Sequence, residues 1–166
     1  MEVNIALLTV TDTRTLDNDK SGAILVKKIK EGNHKLVERK IVKDEKEQIK
    51  KILIEWTKNS IIDVIITTGG TGLTGRDITP EAIKEICDKE IPGFGELFRE
   101  LSYKTIGTSA MQSRACAVLS NGKYIFALPG SSGGVTDAWD NILKYQLDIN
   151  HKPCNFVELF PRLKEK

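Results

Sequence analysis

Three aspartates, Asp12, Asp44 and Asp77, stand where this sequence leaves apolar runs of strand length. Between the last run and Asp77 lies the glycine-rich segment Thr67-Thr68-Gly69-Gly70-Thr71-Gly72-Leu73-Thr74-Gly75-Arg76. Carboxylate oxygens suit Mg²⁺, which takes one or two of them and completes its shell with water and substrate phosphates. Consecutive glycines let the backbone turn tightly and aim N–H groups at an anion. Together they imply a site for a phosphorylated ligand, with a magnesium ion offsetting the repulsion between phosphate and carboxylate. Each feature also has a plainer reading. Glycine loops after strands are often structural, and Asp commonly caps helices and turns. That reading is strongest for Asp44, which precedes Glu45 at a helix start, and weaker for Asp77, two residues ahead of Thr79.

Two familiar phosphate motifs nearly fit and fail. Gly70-Thr71-Gly72-Leu73-Thr74-Gly75 satisfies the dinucleotide fingerprint by letter, but the helix it must open is not signalled until Thr79-Pro80. Gly70 to Gly75 has phosphate-loop spacing, but Arg76-Asp77 stands where Lys and Ser/Thr are required.

The elements that must position these groups alternate in type. Val3 to Val10, Lys35 to Val42 and Ile61 to Thr67 read as strands, the first apolar enough to be buried on both faces and the third rich in Ile and Val. Ser21 to Glu31 and Glu45 to Asn59 carry apolar residues at helical spacing, and Gly32 can end the first. Thr79-Pro80-Glu81 predicts a helix start, with Thr as cap and the helix running to about Lys89. Pro92-Gly93 is expected to break it before a further helix from Gly95 to about Ser102. Arg114 to Ser120 and Lys123 to Leu128 flank Asn121-Gly122, a strong hairpin signal, and a last helix covers about Val135 to Leu147. The expected fold is a three-layer α/β/α arrangement with a mostly parallel sheet and an antiparallel hairpin strand. Residues 1–166 read as a single domain, with an irregular surface tail from about Asn150. Ligands of such sheets bind beyond the carboxyl ends of the strands. That edge would gather Asp12 and Thr13, Asp44, the glycine loop, and the Pro129-Gly130-Ser131 turn. Ser109, Ser113 and Arg114 join them if the hairpin strand runs antiparallel.

Composition excludes several classes. The formal net charge is +2 with both signs interleaved, unlike a nucleic-acid-binding face. No run approaches the length of a membrane span, and the N-terminus has no secretory pattern. Cys87, Cys116 and Cys154 are odd in number and lack metal-ligand spacing, as expected of reduced thiols in a cytoplasmic protein. His34 and His151 stand alone.

Read in order, these segments resemble the MoaB/Mog family of molybdenum cofactor biosynthesis proteins, whose domain also occurs in gephyrin. Thr9-Val10-Thr11-Asp12-Thr13-Arg14 is similar to its first loop, and Thr67 through Ile83 to its signature. Gly93-Phe94-Gly95-Glu96, Gly107-Thr108-Ser109, Ser113-Arg114 and Leu128-Pro129-Gly130-Ser131 continue the match. The tail Lys152-Pro153-Cys154-Asn155-Phe156 is similar to the B-type branch. The resemblance implies a molybdopterin-binding fold assembled as a homo-trimer or homo-hexamer. It also implies adenylylation of molybdopterin with Mg-ATP before molybdate insertion. Asp44 and Asp77 would then be the catalytic, magnesium-holding carboxylates. Asp12, Thr13, Gly69, Gly70, Thr71, Gly72, Thr74, Ser109, Ser113, Arg114, Pro129, Gly130 and Ser131 would bind substrate. Two features depart from the synthase branch: Lys43 replaces its usual Pro, and Ser131-Ser132-Gly133-Gly134 is a B-type loop. They keep open a non-catalytic molybdopterin carrier. Nucleotide-cleaving proteins of the competence-damage type share the glycine loop but usually have Leu at the position of Thr71.

Overall fold

A computed structural model describes residues 1–165. Strands β1 (Asn4–Val10), β2 (Lys35–Val42), β3 (Val64–Thr68), β4 (Lys89–Glu90), β5 (Cys116–Ser120) and β6 (Lys123–Leu128) form one sheet in the order β2-β1-β3-β6-β5-β4. β2, β1, β3 and β6 are parallel, whereas β5 runs antiparallel to β6 and β4 antiparallel to β5. The expected α/β/α layering follows from how the strands divide their side chains. Ile5, Leu7, Val64, Ile66, Tyr124 and Phe126 meet α1 (Lys20–Glu31), α4 (Pro92–Ile106) and α5 (Ser132–Ala138) on one face. Ala6, Leu8, Ile65 and Ile125 meet α2 (Lys46–Lys58) and α3 (Thr79–Lys84) on the other. Strands covered on both faces read as unbroken apolar runs because neither face is left for polar residues.

Helices supply the second half of each core. In α1, Leu25 and Ile29 lie one turn apart and are fully buried; full burial of such a side chain is worth about 1.5–3 kcal/mol. Ile49, Leu53 and Trp56 do the same for α2, and the Trp56 indole donates to Glu38 on β2 at 2.8 Å. The hairpin turn has φ of 49° at Asn121 and 71° at Gly122, the left-handed pair its tight turn demands.

Five local expectations are corrected. Thr79 does not cap α3: its hydroxyl donates to the Gly69 carbonyl at 2.9 Å, and the capping position belongs to Ile78. That helix ends at Lys84, because Lys89–Glu90 is drawn onto β5 as an edge strand. Pro92 opens α4 instead of separating two elements, since its fixed φ suits a first helical position where no N–H partner is needed. The last helix begins at Ser132, capped by Ser131, passes through a wide π turn at Trp139–Leu143 and ends as α6 (Lys144–Gln146). The segment after Asn150 is not confined to the surface. Phe156 packs 4.7 Å from the Tyr124 ring, and Asn155 and Val157 are buried before a 3₁₀ turn at Val157–Arg162. Among the described residues, no helix is long and apolar enough to cross a membrane.

Candidate active site

The carboxyl ends of β1, β2, β3 and β6 all open on one edge, and β5 begins there because it runs the opposite way. The glycine loop leaves β3 still bonded to the sheet, with Gly69 N–H donating to Leu128 O at 3.0 Å. Gly69 and Gly70 have φ of 100° and 68°, which L side chains rarely adopt. A β-carbon on Gly69 would collide with the Val10 carbonyl, so the loop lies directly on the end of β1. A β-carbon on Gly130 would come 3.3 Å from the Cα of Gly69, so the turn after β6 lies against the glycine loop.

Between them is a cleft of ≈ 360 Å³ lined by Gly69, Gly70, Thr71, Gly72, Asp77, Gln112, Ser113, Pro129, Gly130 and Ser131. Ser131 accepts the Gly134 N–H at 3.1 Å, opening α5 at the cleft's mouth. All but one of these residues are expected from the sequence. Gln112 is not: it ends the 3₁₀ segment Gly107–Gln112, and nothing in its type distinguishes it from other surface glutamines.

The remaining expected residues surround the cleft without lining it. Asp44 stands behind Gly70, where a β-carbon would come 3.1 Å from its Oδ1. It does not cap α2, whose capping position is Glu45. Asp12 takes a two-pronged contact from Arg76, with Nε to Oδ2 and Nη2 to Oδ1 both 2.9 Å, while Oδ1 also accepts the Asp44 N–H at 3.1 Å. Thr13 is exposed on the β1 loop, and its N–H is turned to the Thr11 hydroxyl. Thr74 donates both its hydroxyl, at 2.6 Å, and its N–H, at 2.9 Å, to Asp77 Oδ2. Ser109 is exposed on the 3₁₀ segment. Arg114 is turned into the protein: Nε donates to Gly72 O at 2.7 Å, Nη2 to Asp77 O at 2.8 Å, and Nη1 pairs with Glu81. Its own N–H donates to Thr71 O at 3.0 Å, so one arginine closes the glycine loop from inside.

Two further residues hold the edge. Arg14 Nη1 bridges Gly130 O at 3.0 Å and Ser21 Oγ at 3.1 Å. Behind Ser21 the carboxylate of Asp19 is fully buried and takes Thr9 Oγ1 at 2.6 Å, Gly22 N–H at 2.9 Å and Arg39 Nη2 at 3.0 Å.

Their surroundings shift the three site carboxylates unequally, raising the pKa of one and lowering those of the other two. Burial, then the charges of Asp12 and Asp77, push the Asp44 pKa above the ordinary Asp value. Burial opposes ionisation of Asp77 too, but hydrogen bonds from Thr74 and Gly72 outweigh it and its pKa lies low. The Arg76 hydrogen bond holds Asp12 low. Among the described residues no group of three potential protein ligands meets at one point. Two carboxylates, with water and phosphate completing the shell, are a donor set that fits Mg²⁺.

Comparison with known proteins agrees with this fold. A family model described as "Probable molybdopterin binding domain" matches residues 6–149. Molybdenum cofactor biosynthesis protein B of Escherichia coli K12 is 44% identical over 161 residues, covering 97% of this chain and 93% of that protein. A crystal structure of a molybdenum cofactor biosynthesis protein B superposes with a TM-score of 0.89 at 41% identity, covering 100% of this chain and 98% of the other. The tungsten cofactor synthesizing protein MoaB of Pyrococcus furiosus superposes at 0.75 with 38% identity, over 86% of this chain and 91% of that one. With the family model spanning residues 6–149, close relatives over nearly the whole chain and the same fold, the chain belongs to the MoaB/Mog family of molybdenum cofactor biosynthesis proteins.

Proposed function

We propose that this protein binds molybdopterin and adenylylates it with Mg-ATP. The observation that carries the reading is the placement of Asp44 against Gly70 and of Asp77 against Gly72, two carboxylates from different loops on one glycine loop, with the Asp44 pKa raised by burial and then by neighbouring negative charge. Mg²⁺ held by Asp44 and Asp77 would supply neutralisation of the nucleotide phosphates. The chain's own groups do the rest. Backbone N–H groups of Gly70, Thr71 and the Ser131 turn receive a terminal phosphate, and Arg114 and Arg14 hold those loops rigid. In the transfer a phosphate oxygen of molybdopterin forms a bond to the α-phosphorus of ATP, and the bond to pyrophosphate breaks. The attacking phosphate is already ionised, so positioning and charge compensation carry the reaction without a general base.

The test is pyrophosphate release from Mg-ATP with and without molybdopterin. Release that requires molybdopterin and is lost in Asp77→Asn, with the fold intact, supports the reading. Full activity in Asp77→Asn overturns it.

Asp44 stands behind the cleft lining, and Lys43 precedes it, which favours a second reading: a molybdopterin carrier without transfer activity. It predicts tight molybdopterin binding with no saturable binding of ATP, measured by calorimetry.

Leu97, Tyr103, Ile106 and Met111, on α4 and the turn after it, are exposed by 43, 62, 56 and 80%. Exposed apolar side chains of this kind support assembly as a homo-trimer or homo-hexamer, as the resemblance implies. Light scattering that finds only monomer at micromolar concentration overturns the assembly.

A further inference from the structure

Asp44 and Asp77 belong to separate loops, one after β2 and one at the end of the segment after β3. Groups that act on one ligand must be held to within about 0.5 Å of a working geometry, so something has to fix these loops to each other. Asp77 is secured on its own side by Thr74 and, through its carbonyl, by Arg114. Neither contact reaches Asp44.

The link that does is a short relay. Arg76, adjacent to Asp77 in the chain, places Nε and Nη2 on the two oxygens of Asp12, each at 2.9 Å. Asp12 Oδ1 then accepts the backbone N–H of Asp44 at 3.1 Å. Among the described residues no other side-chain hydrogen bond or ion pair joins residues 72–78 to the loops after β1 and β2. Arg76 is 61% exposed and Asp12 35%, so solvent screens the pair and its contribution to stability is small. Its geometry is nonetheless specific, because a guanidinium fork on a carboxylate fixes direction as well as distance.

We propose that Asp12 and Arg76 are a positioning pair that sets the separation of Asp44 and Asp77, and through it the affinity for a divalent cation–nucleotide complex. Neither residue touches the reacting atoms. The assignment rests on the adenylyltransferase reading above. It moves Asp12 from contact with substrate to support of Asp44.

The experiment compares Arg76→Gln, Arg76→Lys, Asp12→Ala, Asp12→Asn and the double variant Arg76→Gln/Asp12→Ala with the wild type. Mn²⁺ binding in the presence of ATP is followed by electron paramagnetic resonance, and the Mg²⁺ dependence of pyrophosphate release by steady-state rates. Arg76→Gln and Asp12→Ala should weaken cation binding roughly ten- to a hundredfold, as outer-shell changes do, with KM for molybdopterin unmoved. Asp12→Asn keeps an oxygen for the Asp44 N–H and should recover part of the loss. Arg76→Lys keeps the charge but not the fork and should recover little. The double variant should be no worse than the weaker single one, because both remove the same relay. A wild type that binds no Mn²⁺ with ATP and releases no pyrophosphate overturns the adenylyltransferase reading, and the pairing falls with it. An active wild type whose Arg76→Gln variant keeps an unchanged Mg²⁺ dependence overturns the pairing alone.

Discussion

Asp44 Oδ1 lies where a β-carbon on Gly70 would be only 3.1 Å away, and the same β-carbon would drive into the Thr79 hydroxyl. The carboxylate, the glycine and the start of α3 therefore occupy one tightly filled volume. Gly70→Ala should cost about 1–2 kcal/mol from the left-handed backbone alone, with a further loss from displacing Thr79 or Asp44. A melting temperature lower by about 2–4 °C per kcal/mol, together with weakened Mg-ATP binding, is the expected result. An alanine variant as stable and as tight-binding as wild type would refute the close packing.

Arg114 offers a different test, because its side chain meets protein and not the cleft. Arg114→Ala removes charged donors from Gly72 O and Asp77 O and leaves Glu81 without its partner. The expected destabilisation is about 1–3 kcal/mol by urea titration. Binding of molybdopterin should weaken through loosening of the loop, so KM should rise more than stability alone explains. If Arg114 contacted the ligand directly, Arg114→Lys would retain binding; with its donors committed to two carbonyls and Glu81, lysine should not rescue.

Asp19 predicts a pH dependence. Burial disfavours its charged form, but Thr9, Gly22 and Arg39 hydrogen bonds prevail and its folded pKa lies below the ordinary 3.8. A depressed carboxylate pKa stabilises the fold above the unfolded value and loses that contribution as pH falls through the folded one. Asp19→Asn should therefore be about 1.5–3 kcal/mol less stable at pH 7. The gap to wild type should narrow below about pH 4. Denaturant titrations at pH 7 and near pH 3 measure both; a gap independent of pH would exclude the buried charge as its cause.

The thiols should separate by reactivity. Burial raises the Cys116 pKa to about 11, whereas Cys154 is exposed on the tail. Brief iodoacetamide treatment of native protein near pH 7.5 should label Cys154 and spare Cys116, which becomes reactive on unfolding. Peptide mass spectrometry reads the order directly, and early labelling of Cys116 would contradict its burial.

Much of this molecule is legible from its residues. β2 and β6 fall where their apolar runs and the Asn121-Gly122 turn place them, and the sheet edge follows from strand ends. The glycine loop and Asp77 line the cleft as their spacing implies. What was hidden has a common cause: periodicity records which side chains are buried, not which way a donor points. Thr79 has the composition of a cap and bonds backward to Gly69, and Arg114 has the composition of a phosphate ligand and bonds inward. Gln112 and Arg14 reach the site only through tertiary placement. The burial of the tail is not legible because Phe156 and Val157 lie among polar residues and prolines, without a repeating spacing to betray the core they join.

The position of β6 in the sheet also orders the molecule in time. Its neighbour β3 is complete at Thr68, yet β6 begins only at Lys123, and Arg114 likewise arrives late in synthesis. β1, β2 and β3 with their helices can associate early, but the glycine loop then lacks both its anchor on Leu128 and its inner clamp. Such distant pairings form slowly because the intervening chain must first be brought into register. A nascent chain halted before the hairpin would carry every residue of the signature and no formed cleft, so capacity for ligand is acquired with the last strand and not before.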